Sequence, residues 1–530
     1  MNERSPLRII LMPLFLGFAL GLGIYIGNTL NVFPAGNAED KITNIIDYIQ
    51  QEYVDTVNRD ELIDRSIEKI LEQLDPHSGY IPASELQAAN EPLEGNFEGI
   101  GIEFHIQDDS IMVVSPISGG PSERVGITAG DRIVKVNGKT VAGTGITNEQ
   151  VQKLLKGKGG TAVKVGIYRR GQKGLLDFEI VRGKIPINSL DAAYMVNTQT
   201  GYIKLSRFSA TTHEEFTAAL QDLLGRGMKS LIFDLRGNPG GYLEAAKLIT
   251  DELIGGKKLI VFTKGKSRPR KDYMTEKDGL FEEGRLIILI DEGSASAAEI
   301  VSGAVQDWDR GTIIGRRSFG KGLVQEQAEL PDGSAIRLTI ARYYTPTGRS
   351  IQKPYSKGIS AYEEELYERY RHGELMSEDS IQFADSLKYK TPAGRIVYGG
   401  GGIMPDVFVP IDTSHESEYL TRLFASGSVN QYAYDYVDRN RGHLKTFATA
   451  ADFRKNFIAG EEFLQDFIRF AEMRGVKKDN EGLSRSSGYL KTQLKASIAR
   501  LLWKNEGMYP ILQEQDPAFI KALSLISQPG

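Results

Sequence analysis

Apolar residues follow different periods in successive parts of this chain. Between residues 39 and 90 they recur every three or four positions, which is typical of helices that bury one face. Between residues 184 and 354 short apolar runs alternate with helical stretches. One of these runs, residues 286–290, is apolar throughout, which predicts a strand buried on both faces of a sheet. The pattern therefore predicts a mixed α/β fold.

A β-hairpin and a long helical part are predicted further along the chain. Residues 323–330 and 335–344 flank the turn sequence Pro331-Asp332-Gly333, which predicts the hairpin. Residues 411–530 contain apolar residues at helical spacing, so we expect a helical C-terminal region.

Composition excludes several classes of site. The net charge is −5 at pH 7, so nothing favours nucleic acid as a partner. The chain contains no cysteine, which excludes disulfides, iron–sulfur clusters and thiolate zinc sites. The six histidines form no HExxH motif or comparable cluster, so we expect no metal and no cofactor.

Two segments carry residues suited to nucleophilic catalysis. Ser296 lies where an apolar strand leads through a loop into a helical stretch, and Lys321 lies in a glycine-rich loop before the hairpin. A serine hydroxyl becomes a good nucleophile when a neighbouring group accepts its proton. The histidines all lie outside both segments, and a lysine can serve instead if burial lowers its pKa. Ser294 competes with Ser296 for the role of nucleophile.

Backbone N–H groups that could stabilise an oxyanion are expected at two places. The amide of Ala297 lies at a predicted helix start, where N–H groups have no intrahelical acceptor. A second donor is expected from residues 234–241, where glycines let the backbone approach a substrate closely. Each feature alone is typical of a helix cap or a tight turn, and their combination favours catalysis.

Residues 315–322 nearly match a nucleotide-binding P-loop. That motif needs Ser or Thr after its lysine to bind Mg²⁺, and Gly322 stands at this position. A hairpin rather than a helix is also predicted to follow, so we reject nucleotide binding.

The run Gly99-Ile100-Gly101-Ile102 precedes another predicted strand. A glycine-rich loop of this kind leaves backbone N–H groups free to hold the terminal carboxylate of a peptide that adds to the sheet as a strand. Residues 125–138 follow with a second strand signature and the hairpin turn Asn137-Gly138. The alternative is a plain turn between two strands.

Together these segments resemble the carboxyl-terminal processing, or tail-specific, proteases, which are Ser–Lys serine peptidases with a PDZ domain. The resemblance covers roughly residues 70–407. It implies that Ser296 rather than Ser294 is the nucleophile, because the lysine follows the second serine by 25 residues. Lys321 would then be the general base, and Gln325 would hold its amine by a hydrogen bond.

The resemblance also implies the binding groups. Gly240 or Gly241 would join the amide of Ala297 in the oxyanion hole, and the choice between the two glycines stays open. The run from Gly99 to Ile102 would be the carboxylate-binding loop of the PDZ domain.

Five regions are expected along the chain. Residues 355–395 are charged, rich in Tyr and Glu, and lie between motifs that are closer together in many family members, so they are interpreted as an insertion. The regions are a membrane anchor and linker at 1–38, an N-terminal helical region at 39–94, the PDZ domain at 95–183, the protease core at 184–410 and the C-terminal helical region at 411–530.

The expected anchor is an uncharged run of 18 residues, from 9 to 26, which is just long enough to span a bilayer. Arg4 and Arg8 precede it, so the positive-inside rule places the N-terminus in the cytoplasm. We therefore expect a bacterial inner-membrane protein whose catalytic part lies in the periplasm. A cleaved signal peptide is the alternative.

The implied function is that of a serine endopeptidase. The PDZ domain would capture accessible C-terminal tails of proteins or peptides, and Ser296 would attack a peptide bond upstream. The flanking helices could also build a homo-oligomer. Two alternatives are a PDZ peptide-binding scaffold with an inactive protease-like core, and an interphotoreceptor retinoid-binding-like module, which usually lacks the PDZ domain.

Overall fold

The computed structural model describes residue 13, residues 15–25 and residues 40–528, and it confirms the mixed α/β fold. The chain divides into two compact units. Residues 1–83 and 327–338 form the first unit, and residues 84–326 and 339–530 form the second.

The first unit contains the helices Asp40–Glu52 and Arg59–Leu71 and the strand Gly79–Ile81. The second helix begins after Asn58, whose side chain accepts hydrogen bonds from the first free N–H groups of the helix. The strand pairs antiparallel with residues 335–337.

The predicted membrane segment lies partly outside the described residues. Residues 15–25 are helical. Within the described parts of the chain, no helix is both long enough and apolar enough to cross a membrane. Residues 9–12, 14 and 26 of the run, and residues 27–39, where a signal peptide would be cleaved, fall outside what the structure describes.

A six-stranded sheet forms the centre of the second unit. Its first two strands are antiparallel and the others are parallel. The predicted apolar run forms an inner strand, where both of its faces are covered, as expected. The strand order is Leu190–Met195, Thr200–Leu205, Ser230–Asp234, Arg285–Ile290, Thr312–Gly315 and Val407–Phe408.

Helices cover both faces of this sheet. On one face lie the helices Thr212–Gly225, Leu243–Asp251 and Ala297–Asp307, which share a large apolar core with the strands. On the other face the C-terminal helix Pro517–Ser527 packs through Phe519. The ends of the parallel strands are thereby fixed on both sides.

The predicted hairpin is present. Its strands are Leu323–Glu329 and Ala335–Tyr344. Residues 342–344 pair with Leu259–Lys264, which pairs in turn with Lys271–Met274. The segment with Lys321 therefore leads directly into a sheet strand.

The PDZ domain is a β-sheet with short helices. The strand pair Asn96–Gly99 and Gly183–Pro186 closes its base. The helices are Pro121–Arg124 and Asn148–Leu155, and the second begins with a capping box at Thr147. The sheet strands, with Lys139–Thr140 paired on the third, are Ile102–Gln107, Ser110–Pro116, Arg132–Val136, Ala162–Tyr168 and Leu176–Val181.

The expected insertion and the helical C-terminal region are also defined. The segment 355–395, interpreted as an insertion, contains the helices Ile359–Arg371, Glu378–Ser380 and Asp385–Leu387 and the strand Lys388–Lys390, which pairs with Ile396–Tyr398 just after the segment. Before the final helix Pro517–Ser527, the C-terminal region contains Glu418–Ala425, Ser428–Arg439, Arg441–Leu444, Ala450–Asn456, Glu461–Met473, Asn480–Leu512 and Gln513–Gln515.

The C-terminal helices contact the PDZ domain directly. The ring of His105, on the PDZ strand Ile102–Gln107, stacks on Tyr434 with centroids 4.2 Å apart. On the same strand the carboxylate of Glu103 accepts a hydrogen bond from Arg500 at 2.9 Å. The C-terminal region therefore contacts both the core sheet and the PDZ domain.

Candidate active site

Ser296 lies immediately before the buried helix Ala297–Asp307, at the end of the loop that follows strand Arg285–Ile290. Its backbone has φ 53° and ψ −112°. A non-glycine residue rarely has positive φ, and such strain costs on the order of 1–3 kcal/mol. A comparable strained turn between a strand and a helix exposes the nucleophile of α/β-hydrolases. Backbone strain of this kind clusters at active sites, which agrees with the role predicted for Ser296.

The two candidate serines differ in what their hydroxyls do. Ser294 is fully buried, and its Oγ donates to the carbonyl oxygen of Leu235 at 2.8 Å. The same Oγ accepts from the backbone N–H of Asp291 at 3.0 Å. Ser296 is partly exposed. Ser294 thus shapes the loop, whereas Ser296 remains accessible to a substrate.

The glycine-rich loop at 234–241 lies against the start of the helix. A Cβ atom on Gly240 would be 2.7 Å from Cβ of Ser296 and 2.9 Å from the backbone nitrogen of Ala297. The two loops are also joined by a hydrogen bond from the N–H of Ala295 to the carbonyl oxygen of Asn238 at 2.9 Å. Only glycine allows this approach, so the structure brings the predicted oxyanion segments together.

The amides of the two candidate glycines are in different situations. The N–H of Gly240 donates to Oδ1 of the buried Asn238 at 2.9 Å. Gly241 forms a bridge with Phe208, but the N–H groups used there are those of Phe208 and Tyr242. The N–H of Gly240 is therefore already engaged, and that of Gly241 takes no part in the bridge.

A buried carboxylate connects the loop that contains Ser296 (residues 291–296, the serine loop) to the loop that contains Lys321 (residues 318–321, the lysine loop). Glu299 is fully buried. Its Oε2 accepts from the backbone N–H of Ser296 at 2.8 Å and from that of Lys321 at 2.9 Å. Its Oε1 accepts from the Ser318 hydroxyl at 2.5 Å and from the Gly320 N–H at 2.8 Å. One side chain thus fixes the backbone of both predicted catalytic residues.

Tyr343, on the second hairpin strand, makes a second connection. Its hydroxyl lies 3.1 Å from the carbonyl oxygen of Ser296 and 2.5 Å from that of Lys321, and it donates to both. Burial raises the pKa of Tyr343 well above its ordinary value, so the hydroxyl keeps its proton. Ser296 and Lys321 are therefore held together through their N–H groups and through their carbonyls.

Burial raises the pKa of Glu299 to about 7, although the hydrogen bonds from Ser318, Lys321, Gly320 and Ser296 oppose the increase. Asp234, at the start of the glycine-rich loop, differs. Its burial is outweighed by Arg236 and Lys204, which hold its pKa below the ordinary value. The carboxyl of Glu299 titrates near neutral pH while Asp234 stays ionised.

Lys321 and Gln325 lie close together in sequence at the start of the hairpin. Both residues are partly buried, and Gln325 lies on strand Leu323–Glu329. Its Nε2 is buried and has no hydrogen-bond acceptor among the described residues. The predicted hydrogen bond between the side chain of Gln325 and the amine of Lys321 stays a prediction.

The residues of the predicted carboxylate-binding loop are consecutive in the structure. Gly99 ends one PDZ strand, and Ile102 begins the strand Ile102–Gln107. Gly101 has φ 74°, and a Cβ atom there would be 2.7 Å from Cδ1 of Ile185, so glycine is required. Among the described strands, Ile102–Gln107 stands at the edge of its sheet, where a peptide strand could be added.

The sequence analysis did not single out three residues that hold this site, which are Asn238, Glu299 and Tyr343. A signal existed for Glu299. Ser296-Ala297-Ala298-Glu299 fits the S-x-x-E pattern of a capping box before an apolar helix. No local pattern distinguishes Asn238 or Tyr343, because each contacts a segment distant in sequence.

A strained serine at a helix start, beside two glycines and a lysine loop, defines the class as a serine-type peptidase. Comparison with known families agrees. Residues 199–361 match peptidase family S41, and residues 99–180 match the PDZ domain. Residues 419–504 match a family of unknown function.

Known proteins identify the family. A carboxy-terminal-processing protease of Bartonella bacilliformis is 38% identical over 62% of this chain and 76% of its own length. The carboxy-terminal processing protease CtpA of Bacillus subtilis is 37% identical over 60% of this chain and 67% of its own. The chain belongs to the S41 family of carboxy-terminal processing proteases, and it carries a PDZ domain.

Two solved structures are similar as well. The photosystem II D1 C-terminal processing protease is 29% identical over 58% of this chain and 83% of its own, with a TM-score of 0.34. The PDZ domain of a carboxy-terminal protease from Vibrio cholerae, solved in complex with a peptide, is 32% identical over 17% of this chain and 97% of its own, with a TM-score of 0.16.

Replacement of Glu299 by Gln tests the connection between the loops. The amide NH₂ would face two N–H or O–H donors that now meet a carboxylate oxygen, so we expect turnover to fall about 10- to 100-fold. Glu283→Gln, at an exposed carboxylate, is the matched control and should keep full activity. Full turnover by Glu299→Gln would show that the carboxylate does not hold the site.

Stability as a function of pH gives a second measurement on the same variant. The pKa of Glu299 is raised in the folded state, so its favourable contribution is complete below about 4.5 and is lost as pH rises through about 7. The difference in unfolding free energy between the wild type and Glu299→Gln should therefore change by on the order of 3 kcal/mol between pH 4.5 and 8, to the disadvantage of the wild type at high pH. Urea unfolding at several pH values measures it, and a constant difference contradicts the raised pKa.

Proposed function

We propose that this chain is a serine endopeptidase that works through a Ser–Lys pair. The neutral amine of Lys321 takes the proton of the Ser296 hydroxyl as the oxygen attacks the peptide carbonyl. The resulting ammonium gives this proton to the leaving amine, and the acyl group stays on Ser296. A water molecule, deprotonated by the same amine, then attacks the ester, and the ammonium returns this proton to Oγ of Ser296 as the new carboxyl terminus leaves. The observation that carries the proposal is the double connection of Ser296 and Lys321 through Glu299 and Tyr343.

The oxyanion of the tetrahedral intermediate would be stabilised by the N–H groups of Ala297 and Gly241. Ala297 is the first residue of its helix, where N–H groups lack intrahelical acceptors and the helix dipole favours negative charge. Gly241 is preferred over Gly240 because Asn238 already accepts the N–H of Gly240. Gln325 is proposed to orient the amine of Lys321 by accepting a hydrogen bond from it at Oε1, which leaves the lone pair of the amine for the proton of Ser296.

Substrate would be selected by its C-terminal tail. The terminal carboxylate would bind the loop from Gly99 to Ile102, and the tail would extend the sheet along Ile102–Gln107. Ile102 and Phe104, which are partly buried apolar residues on this strand, favour an apolar C-terminal residue. Proteins and peptides with accessible tails are the proposed substrate class.

The two serine variants should behave in opposite ways. Ser296→Ala should abolish peptide hydrolysis and lower the free energy of unfolding by about 1 kcal/mol, the usual effect of replacing an N-cap serine, so the enzyme stays folded. Ser294→Ala should keep most of its activity but lose about 1 kcal/mol of stability, since its hydroxyl bonds to Leu235 and Asp291. Peptidase assays and urea unfolding measure both effects. An inactive Ser294→Ala enzyme beside an active Ser296→Ala enzyme would reverse the assignment.

Lys321→Arg preserves the charge but removes the base, because arginine stays protonated. We expect hydrolysis to fall at least about 10²- to 10⁴-fold, the usual contribution of a general base. Lys257→Arg, at an exposed lysine of the same core, is the control and should remain fully active. Wild-type activity should rise with pH as the amine loses its proton. Substantial turnover by Lys321→Arg would exclude this lysine as the base.

Amidation of a cleavable peptide's C-terminus removes the charge that the PDZ loop is proposed to bind. The amidated peptide should be cleaved with a higher KM than the free acid, and the two should differ less after the PDZ loop is altered by Gly101→Ala. Equal cleavage of both peptides by the wild type would show that tail capture does not select the substrate.

We also propose that residues 9–26 anchor the chain in the inner membrane with the catalytic part in the periplasm, as the uncharged run and the preceding Arg4 and Arg8 suggest. The natural protein should stay with membranes during alkaline carbonate extraction and require detergent for release. Recovery of natural protein that lacks residues 1–27 would instead indicate a cleaved signal peptide.

A further inference from the structure

The loop that carries Lys321 is held from its other side by the insertion. On helix Ile359–Arg371, the side chain of Arg369 is only 2% exposed. Its Nη1 donates to the carbonyl oxygen of Ser318 at 2.8 Å, and its Nη2 donates to that of Phe319 at 3.0 Å. The guanidinium therefore donates hydrogen bonds to two consecutive carbonyls of the loop that contains Lys321.

A carboxylate on the same helix fixes the orientation of this guanidinium. Glu365 accepts from Nε of Arg369 at 2.6 Å and from Nζ of the buried Lys353 at 3.0 Å. The ammonium of Lys353 also lies 4.0 Å from the ring centroid of Phe319. Because an arginine fork paired with a carboxylate has a defined plane, the donors of Arg369 point at the loop with little freedom.

The carbonyls of residues 318–321 all accept a hydrogen bond, and Arg369 donates two of these bonds. The carbonyl of Gly320 accepts from the backbone N–H of Lys353 at 2.9 Å, and that of Lys321 accepts from the Tyr343 hydroxyl. The remaining two, on Ser318 and Phe319, depend on the guanidinium. Buried carbonyls rarely lack a donor, so loss of Arg369 should make this loop rearrange.

We propose that Arg369 is a positioning residue for the Ser–Lys reaction, acting through the Ser318 and Phe319 carbonyls to fix the loop that presents Lys321 to Ser296. The match to peptidase family S41 ends at residue 361, so Arg369 lies outside the matched segment. By this proposal, a residue of the segment interpreted as an insertion positions the loop of the proposed base. The inference rests on the proposed function, because it assigns the base to Lys321.

The experiment compares the full-length chain with Arg369→Ala, Arg369→Lys and the control Arg371→Ala. Arg371 lies on the same helix, but its side chain is 60% exposed, and it pairs with Glu368 and lies over the ring of Tyr367. We expect Arg369→Ala to lower kcat about 100-fold, the effect of a misplacement of about 1 Å, with a much smaller change in KM. Arg369→Lys should recover only part of kcat, since an ammonium cannot reproduce the planar pair of N–H donors that reaches both carbonyls. Arg371→Ala should resemble the wild type.

Two further readouts separate positioning from loss of folding. Added guanidinium should restore kcat in Arg369→Ala and leave Arg371→Ala unchanged. The acid limb of kcat/KM should move to higher pH in Arg369→Ala, because a loosened loop exposes the amine of Lys321 to water, which favours the ammonium. A smaller fraction of folded enzyme would lower activity equally at every pH.

An unchanged kcat in Arg369→Ala, or a loss of activity without rescue and without a shift of the acid limb, overturns the inference. The Lys321→Arg enzyme, assayed beside these variants, distinguishes this failure from that of the proposed function. If Lys321→Arg is inactive while Arg369→Ala is normal, only the positioning role is wrong. If Lys321→Arg is active, the Ser–Lys proposal itself is wrong.

Discussion

The carboxylate of Glu299 accepts four hydrogen bonds from two loops that are distant in sequence, and the arrangement of Ser296 and Lys321 depends on it. A carboxylate buried without partners would cost several kcal/mol. The four donors offset part of this cost, and the raised pKa of Glu299 reflects the part that burial retains. Neither loop supplies these donors alone. The site can therefore form only when helix Ala297–Asp307 and the start of the hairpin are both in place.

The same constraint explains the close approach and the strain around the serine. Because Glu299 holds the N–H of Ser296 and the helix behind it is buried, the backbone of Ser296 is kept at φ 53°. Gly240 then fits against Ser296 with no room for a side chain. Asn238 holds the loop at residues 234–241 by accepting the N–H of Gly240, so that N–H is already engaged.

Much of the fold followed from local pattern. The apolar run at 286–290, the hairpin around Pro331-Asp332-Gly333 and the helical C-terminal region are all observed, because period and turn chemistry act over a few residues. Ser296 and Lys321 could be predicted as chemical types at a helix start and in a glycine-rich loop. Their mutual arrangement could not, since it depends on contacts between segments far apart in the chain.

The residues that the sequence did not reveal share this dependence. Tyr343 and Arg369 look like an ordinary strand tyrosine and a helix arginine, and their role appears only where they meet the lysine loop. Gly240 and Gly241 could not be separated by sequence either, because the difference lies in one hydrogen bond to Asn238. Glu299 was detectable as a capping box, but its reach to Lys321 was not.

The most direct test is to locate the acyl group during turnover. The enzyme would be mixed with a tail-bearing peptide ester, quenched in acid and digested, and the modified peptide sequenced by mass spectrometry. We predict a single acylated residue, Ser296, whose label disappears as hydrolysis proceeds. A label on Ser294 or elsewhere, or hydrolysis without any acylated serine, would contradict the Ser–Lys mechanism.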